Sequence, residues 1–368
     1  MTILTRRQAL KAGAAALAMP YIATRARAEE VVNVFNWTDY IGETTVADFQ
    51  KETGIKVTYD MYDSTQAEEA KMLAGKSGYD VVLHSGSTIA RFIEAGVFQK
   101  LDHAKLSGWS NLDPAILKII EGWDPGNQYG APYMWGTVGF TYNMDMVKER
   151  FGDNAPVHSL DMIFKPENAQ KLATCGLSIL DEPSDVFPLV LKYLGKNPDT
   201  TDPADYDAVV EAFKPIRQYI KTFDSSNYIN ALPNKALCAV NNWSGDYATS
   251  KARAAEAGVK IDLAYFVPDT GAPAWFDLWT IPADAPHVEN AYKFINYMLQ
   301  PEVIAKCTNF THYAHANIPA LKYTDKAVLD DPAVFPPESI RKELWTPKTL
   351  DKKLERARTR AWSKIKTG

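Results

Sequence analysis

The sequence predicts a two-lobed α/β fold, with mixed sheets flanked by helices and a ligand cleft between the lobes. Three observations predict it. Short apolar runs of strand type alternate with segments of helical period, the rhythm of a sheet covered on its faces by helices. The chain has 368 residues, about 340 once an N-terminal leader is set aside, more than one hydrophobic core usually serves. A mostly apolar, extended segment, Tyr133 to Asn143, is suited to carry the chain into a second lobe.

In order, Val31 to Phe35 reads as a strand, Thr44 to Glu52 as a helix stopped by Gly54, Lys56 to Tyr59 as a strand, Ala67 to Ala74 as a helix, and Asp80 to Leu83 as a buried strand. The second lobe takes in Leu177 to Asp181, Val186 to Leu194 and Ala239 to Trp243, and a return falls near Trp275 to Ile281. Tyr292 to Leu299 has the period of an amphipathic helix. Leu350 to Lys366 forms a charged terminal helix whose basic run, Arg356, Arg358 and Arg360, reads as a solvated face. Ligands of such sheets sit beyond the carboxyl ends of strands, where Trp37 to Tyr40 and Ser85 to Ser87 fall.

Trp37-Thr38-Asp39-Tyr40 sets a carboxylate between two aromatic rings just after the first strand. The combination recurs as Asn242-Trp243-Ser244-Gly245-Asp246 and as Trp275-Phe276-Asp277. A ring face attracts a cation with roughly 0.5 to 2 kcal/mol, and a carboxylate fixes where its N–H groups point. Three such segments brought to one place would hold a small organic cation. Enzyme signals fail by comparison. Gly75-Lys76-Ser77 lacks the glycine a phosphate loop needs at position 70, which is Ala, and His84 and Ser85 are strand neighbours pointing to opposite faces. His312 and His315 are spaced for a shared metal but have no acidic or cysteine ligand nearby, so a packed or surface role is expected and no metal or cofactor.

The first 28 residues carry an export signal: paired Arg6 and Arg7, an apolar stretch from Ala12 to Ala23, and Ala26-Arg27-Ala28 at the cleavage point. Either the twin-arginine or the general secretory route fits. Those residues hold five basic groups and no acid, so removing them takes the formal charge from −5 to −10. An acidic surface favours cationic ligands and argues against nucleic acid. Cys175, Cys238 and Cys307 permit one disulfide in an oxidising compartment, and their spacing does not say which.

The chain resembles the periplasmic polyamine-binding proteins of ABC importers, closest to the putrescine-binding type, over essentially its whole mature length. The landmarks are Phe35-Asn36-Trp37-Thr38-Asp39-Tyr40-Ile41, Lys51 to Val57, Ala131-Pro132-Tyr133-Met134-Trp135, Tyr193 to Lys196 and Arg358 to Trp362. The resemblance implies a type II periplasmic binding protein fold, with lobe 1 at 29–136 plus 276–320 and lobe 2 at 137–275 plus 321–368. It also implies ligand contacts at Trp37, Thr38, Asp39, Tyr40, Ser85, Asp185, Trp243, Asp246, Trp275, Asp277 and Tyr313. Asp246 and Asp277 would hold one ammonium head, with Asp39 or Asp185 nearer the other. A disulfide between Cys175 and Cys238 is implied, as are a monomer in the periplasm, a polyamine ligand, putrescine or also spermidine, and a membrane permease partner. Thr38 and Trp275 resemble the spermidine pattern. Two competing readings are a binding protein for another small solute and an exported carbohydrate-active enzyme, since paired carboxylates and aromatic platforms also serve glycosidases.

Overall fold

A computed structural model describes residues 30–368; the expected leader lies outside them. Strands β1 (Val31–Trp37), β2 (Lys56–Tyr62) and β3 (Val81–Ser85) form a parallel set with β1 in the middle. Val32, Val34 and Phe35 of β1 and Val81 to Leu83 of β3 are buried, as parallel strands covered on both faces require. The long strand β4 (Gly130–Asn143) is buried along its length apart from half-buried Trp135. Beyond it, β5 (Leu177–Ile179), β6 (Ile220–Phe223) and β7 (Ala239–Trp243) form a second parallel set, with β5 in the middle.

Four further strands complete the pairing around β4. β8 (Leu263–Phe266) pairs antiparallel with the second half of β4. β9 (Ala272–Thr280) pairs antiparallel with both β3 and β4. β10 (Ala314–His315) adds to β4, and β11 (Leu344–Trp345) runs parallel to β9. The sheet order is β2-β1-β3-β9-β4-β7-β5-β6. Two hydrophobic cores result. One gathers residues from 32–134 and 274–320, the other from 138–272 and 328–365 together with Ala314. Trp135, Trp243 and Trp275 pack against both, so aromatic surface concentrates where the cores meet.

Most expected elements form, with ends displaced by a few residues. The helix Thr45–Thr53 stops at Gly54, whose φ of 71° is open to glycine without strain. The helix Thr65–Leu73 starts before Ala67 because Ser64 caps it, its Oγ accepting from the Ala67 N–H at 3.3 Å. β2 runs three residues past Tyr59: it is an edge strand with mostly exposed side chains, so pairing with β1 extends it where apolar alternation does not.

The basic run of the last helix is a correction. Arg356 and Arg360 are exposed, but Arg358 is buried against Glu355. Residues two apart lie roughly opposite on a helix, so the three arginines never shared one face. His84 is engaged on both ring nitrogens, by the buried Glu68 carboxylate and by the Thr88 hydroxyl. His312 ends the helix Pro301–Thr311 in a left-handed conformation. His315 is buried beside the Thr324 hydroxyl, and burial pushes it down to about 4. Cys175 and Cys238 are disulfide-bonded, and Cys307 is a buried free thiol. Among the described residues no helix is long and apolar enough to cross a membrane.

Candidate functional site

A cavity of about 80 Å³ opens where the two parallel sets end, and all eleven residues singled out in the sequence line it. The fold delivers them by a simple rule. Trp37, Ser85 and Trp243 close β1, β3 and β7 at their carboxyl ends. Asp39 takes a φ of 56°, which Asp tolerates, and this turn leaves Asp39 at the mouth while Tyr40 enters the core. Asp185 and Asp246 lie in the first turns of the helices Pro183–Tyr193 and Ser244–Glu256. Trp275 and Asp277 are two apart on β9, hence on one face, and Asp277 stands opposite Ser85.

Glycines admit two of the rings. A Cβ at Gly136 would meet the Trp275 indole at 2.6 Å, and one at Gly245 would meet the Tyr313 ring at 2.6 Å. The aromatic walls are joined edge to face: Trp37 to Trp243 at 5.8 Å between centroids, Tyr40 to Tyr313 at 5.1 Å and Trp275 to Tyr313 at 5.2 Å.

Six carboxylates line the cavity: Asp39, Asp63, Glu182, Asp185, Asp246 and Asp277; among the described residues no lysine or arginine does. Asp246 accepts hydrogen bonds from the Tyr313 hydroxyl at 2.5 Å and from Tyr228. The Trp243 indole N–H donates to Asp185 at 2.7 Å. Burial pushes Asp277 well above the carboxylate range, opposed by neighbouring Tyr40. Burial, then the charge of Glu182, raises Asp185 to about 7, while burial raises Asp246 to about 6 against its two tyrosine donors. Asp39 differs: 53% exposed at the mouth, it pairs with Arg253 at 2.9 Å across the cleft.

Sequence reasoning missed Glu182, and with it Asp63, Thr65, Ser184, Ser225, Ser226 and Ile229. Glu182 is only 2% exposed. Its Oε1 accepts from the Ser184 hydroxyl at 2.6 Å and from the Gln66 amide at 3.2 Å, whereas its Oε2 is buried and has no partner among the described residues. The available signal was its place three residues before Asp185, at the start of a Pro-led helix.

Fold and cavity define an extracytoplasmic solute-binding protein. Residues 44–336 match the family of bacterial extracellular solute-binding proteins, and the chain belongs to that family, one of binding proteins rather than enzymes. It is 48% identical over 339 residues, 92% of each chain, to the putrescine-binding periplasmic protein SpuD of Pseudomonas aeruginosa. It is 44% identical over 369 residues, the whole of both chains, to the putrescine-binding periplasmic protein PotF of Escherichia coli. Among solved structures, the spermidine/putrescine transporter substrate-binding protein PotD of Streptococcus pneumoniae superposes with a TM-score of 0.74 at 27% identity, covering 92% of this chain and 99% of that one. The fold is that of the type II periplasmic binding proteins.

Proposed function

We propose that this protein captures polyamines, putrescine and also spermidine, in the periplasm and delivers them as a monomer to the membrane permease of an ABC importer. The observation that carries this reading is an aromatic-walled cavity with six carboxylates and, among its described lining residues, no cationic side chain. A diamine is a dication at neutral pH. Each ammonium 4 Å from a carboxylate gains about 4 kcal/mol at an effective dielectric near 20, before desolvation. Four methylenes against the rings of Trp37, Trp243 and Trp275 add about 0.8 kcal/mol each when fully buried, against an association cost of at least about 4 kcal/mol. Micromolar binding is within reach. A neutral sugar would leave the buried acids without counter-charge, which is costly.

Asp246 and Asp277 hold one head in this reading. The other meets Asp185, since Asp39 is already paired with Arg253, and the open oxygen of Glu182 is left beside it. In this reading the chain forms two lobes, 29–136 plus 276–320 and 137–275 plus 321–368, a division supported by the two cores, which depart from it at Ala274 and Ala314. A dication held by acids of both lobes favours their closure, the shape a permease distinguishes. A calorimetric titration with putrescine, cadaverine, spermidine and spermine tests the proposal. Saturable binding of putrescine and spermidine, within about a hundredfold of each other, is expected. Absence of heat with all four would sink it.

A further inference from the structure

Beside the cation cavity, and sharing Ser184 with it, lies a second and smaller one of about 20 Å³ between the helices Gly86–Glu94 and Lys352–Thr367. It has room for about one water-sized species. Its lining is of the opposite kind. Arg91 comes from the first helix, Arg358 from the second, and Lys348 from the segment that joins β11 to the second helix.

Arg358 is 8% exposed, and its Nη2 donates to both carboxylate oxygens of Glu355, at 2.9 and 2.8 Å. Arg91 donates through Nη2 to Glu69 at 2.5 Å. The Nε of each guanidinium is buried, and among the described residues neither has a partner. The hydroxyls around them are directed elsewhere: Ser184 donates to Glu182, and Thr349 to the Ser87 carbonyl. A charged N–H buried without an acceptor costs more than a neutral one does. Among the lining residues and their ion-pair partners three cations stand against two carboxylates, Glu69 and Glu355, so the charge of exposed Lys348 is left over; Glu182, bonded to Ser184, lines the cation cavity instead. A water molecule would meet the N–H groups but not the charge, and a tetrahedral oxyanion has more atoms than the cavity admits.

We propose that this cavity is a binding site for one monatomic halide anion, chloride in the cell, held by the Nε–H groups of Arg91 and Arg358 and the charge of Lys348. The anion ties the two cores together. Ile89 and Phe92, flanking Arg91, belong to one core, and Leu354 and Ala361, flanking Arg358, to the other. It also offsets the positive charge of Arg358, whose field reaches Asp185 in the neighbouring cavity and would repel a dication bound there. Halide and polyamine therefore strengthen each other's binding, a consequence that rests on the proposed function.

Crystals equilibrated with sodium bromide give the direct test. An anomalous peak is expected between Arg91 and Arg358, lost in Arg358→Gln and weakened in Lys348→Ala, whose exposed position leaves folding intact. A site without a peak at saturating bromide, or a peak unchanged in both variants, overturns the proposal. Putrescine titrations in chloride and in gluconate, at one ionic strength, test the coupling. Affinity about fivefold tighter in chloride is expected, and equal affinities overturn the coupling. Failure of putrescine to bind in either salt would count against the polyamine reading alone, because the bromide peak is read without it.

Discussion

Asp124 and Asp277 are both buried aspartates of the same half of the molecule, yet they are bonded in opposite ways. Asp124 accepts from three successive backbone N–H groups, those of Gln128 at 3.0 Å, Tyr129 at 2.7 Å and Gly130 at 3.0 Å, and thereby fixes the turn into β4. Asp80 is similar, accepting from the Asn33 and His287 N–H groups at 2.7 and 2.6 Å. Asp277 has only the flanking Tyr40, whose buried hydroxyl makes no hydrogen bond among the described residues, while Asp185 has an indole and Asp246 two phenols. A carboxylate that builds the fold is saturated by its own backbone. One that waits for a cation is buried with lone pairs left facing the cavity; burial raises the proton affinity of both kinds, but at Asp124 three backbone N–H groups oppose the rise. Burial alone therefore does not mark a functional acid; the kind and number of donors do.

The contrast breaks most sharply under matched substitutions. Asp277→Asn keeps the shape and removes the counter-charge, so putrescine affinity should fall at least about a hundredfold, roughly 3 kcal/mol. Stability of the ligand-free protein should hold or rise, because the ionised form is the one that burial disfavours. Asp124→Asn should do the reverse. It replaces an acceptor of three N–H groups with an amide, and urea unfolding should show a loss of about 2 kcal/mol with affinity changed less than about threefold. If Asp124→Asn weakened binding more than Asp277→Asn, the distinction by donors would be wrong.

Half of this contrast was legible in the sequence. Asp39, Asp246 and Asp277 stood out because each neighbours an aromatic ring within one short segment, and the strands beneath them announced themselves by apolar runs. Glu182 did not, because an acid before Pro183 also reads as an ordinary helix start. Asp63, Ser225 and Ser226 sit in connections whose small polar residues look like any loop. Arg358 was misjudged for a geometric reason: charge counted along the chain ignores the 100° turn between helical neighbours. What the sequence could not carry at all is the donor count on each acid, since the three N–H groups on Asp124 and the open oxygen of Glu182 exist only once the chain has folded.

Acid should sharpen the difference through opposite effects on affinity and on stability. In the empty site Asp185 titrates at about 7 and Asp246 at about 6. A bound dication needs both ionised, so putrescine affinity should fall as pH drops from 8 to 5, by up to about tenfold per unit for each proton that must leave. The stability sign is the other way. Both groups hold protons in the folded state at pH values where the unfolded chain, near 3.8, has lost them, so their contribution to ligand-free stability is fully present below about pH 3.8 and is lost progressively as pH rises from there through 6 and 7. Calorimetry in buffers of different ionisation enthalpy should detect proton release on binding at pH 6. Affinity flat from pH 8 to 5 would contradict the open-acid description.

Glu182 stands between the two kinds and gives the smallest and most selective effect. Its Oε1 is tied to Ser184 and Gln66 as a scaffold acid would be, while its Oε2 is open like those of the site. Asp277 is the freer acid of its pair, since two phenols already occupy Asp246, and at the other head Asp185 is the freer and Glu182 the tied one, so neutralising Glu182 leaves a diamine its main counter-charges. A triamine has a third cationic centre, and the open oxygen of Glu182 is the extra acceptor for it. Glu182→Gln keeps the acceptor toward Ser184 and neutralises the rest. Putrescine affinity should change less than about threefold while spermidine affinity drops about tenfold, roughly 1.4 kcal/mol, as parallel titrations would read. An equal loss for both ligands would make Glu182 part of the common cation site, and no loss for either would return it to the scaffold beside Asp124; in both cases the open oxygen would have misled, and the donor count would need a second criterion.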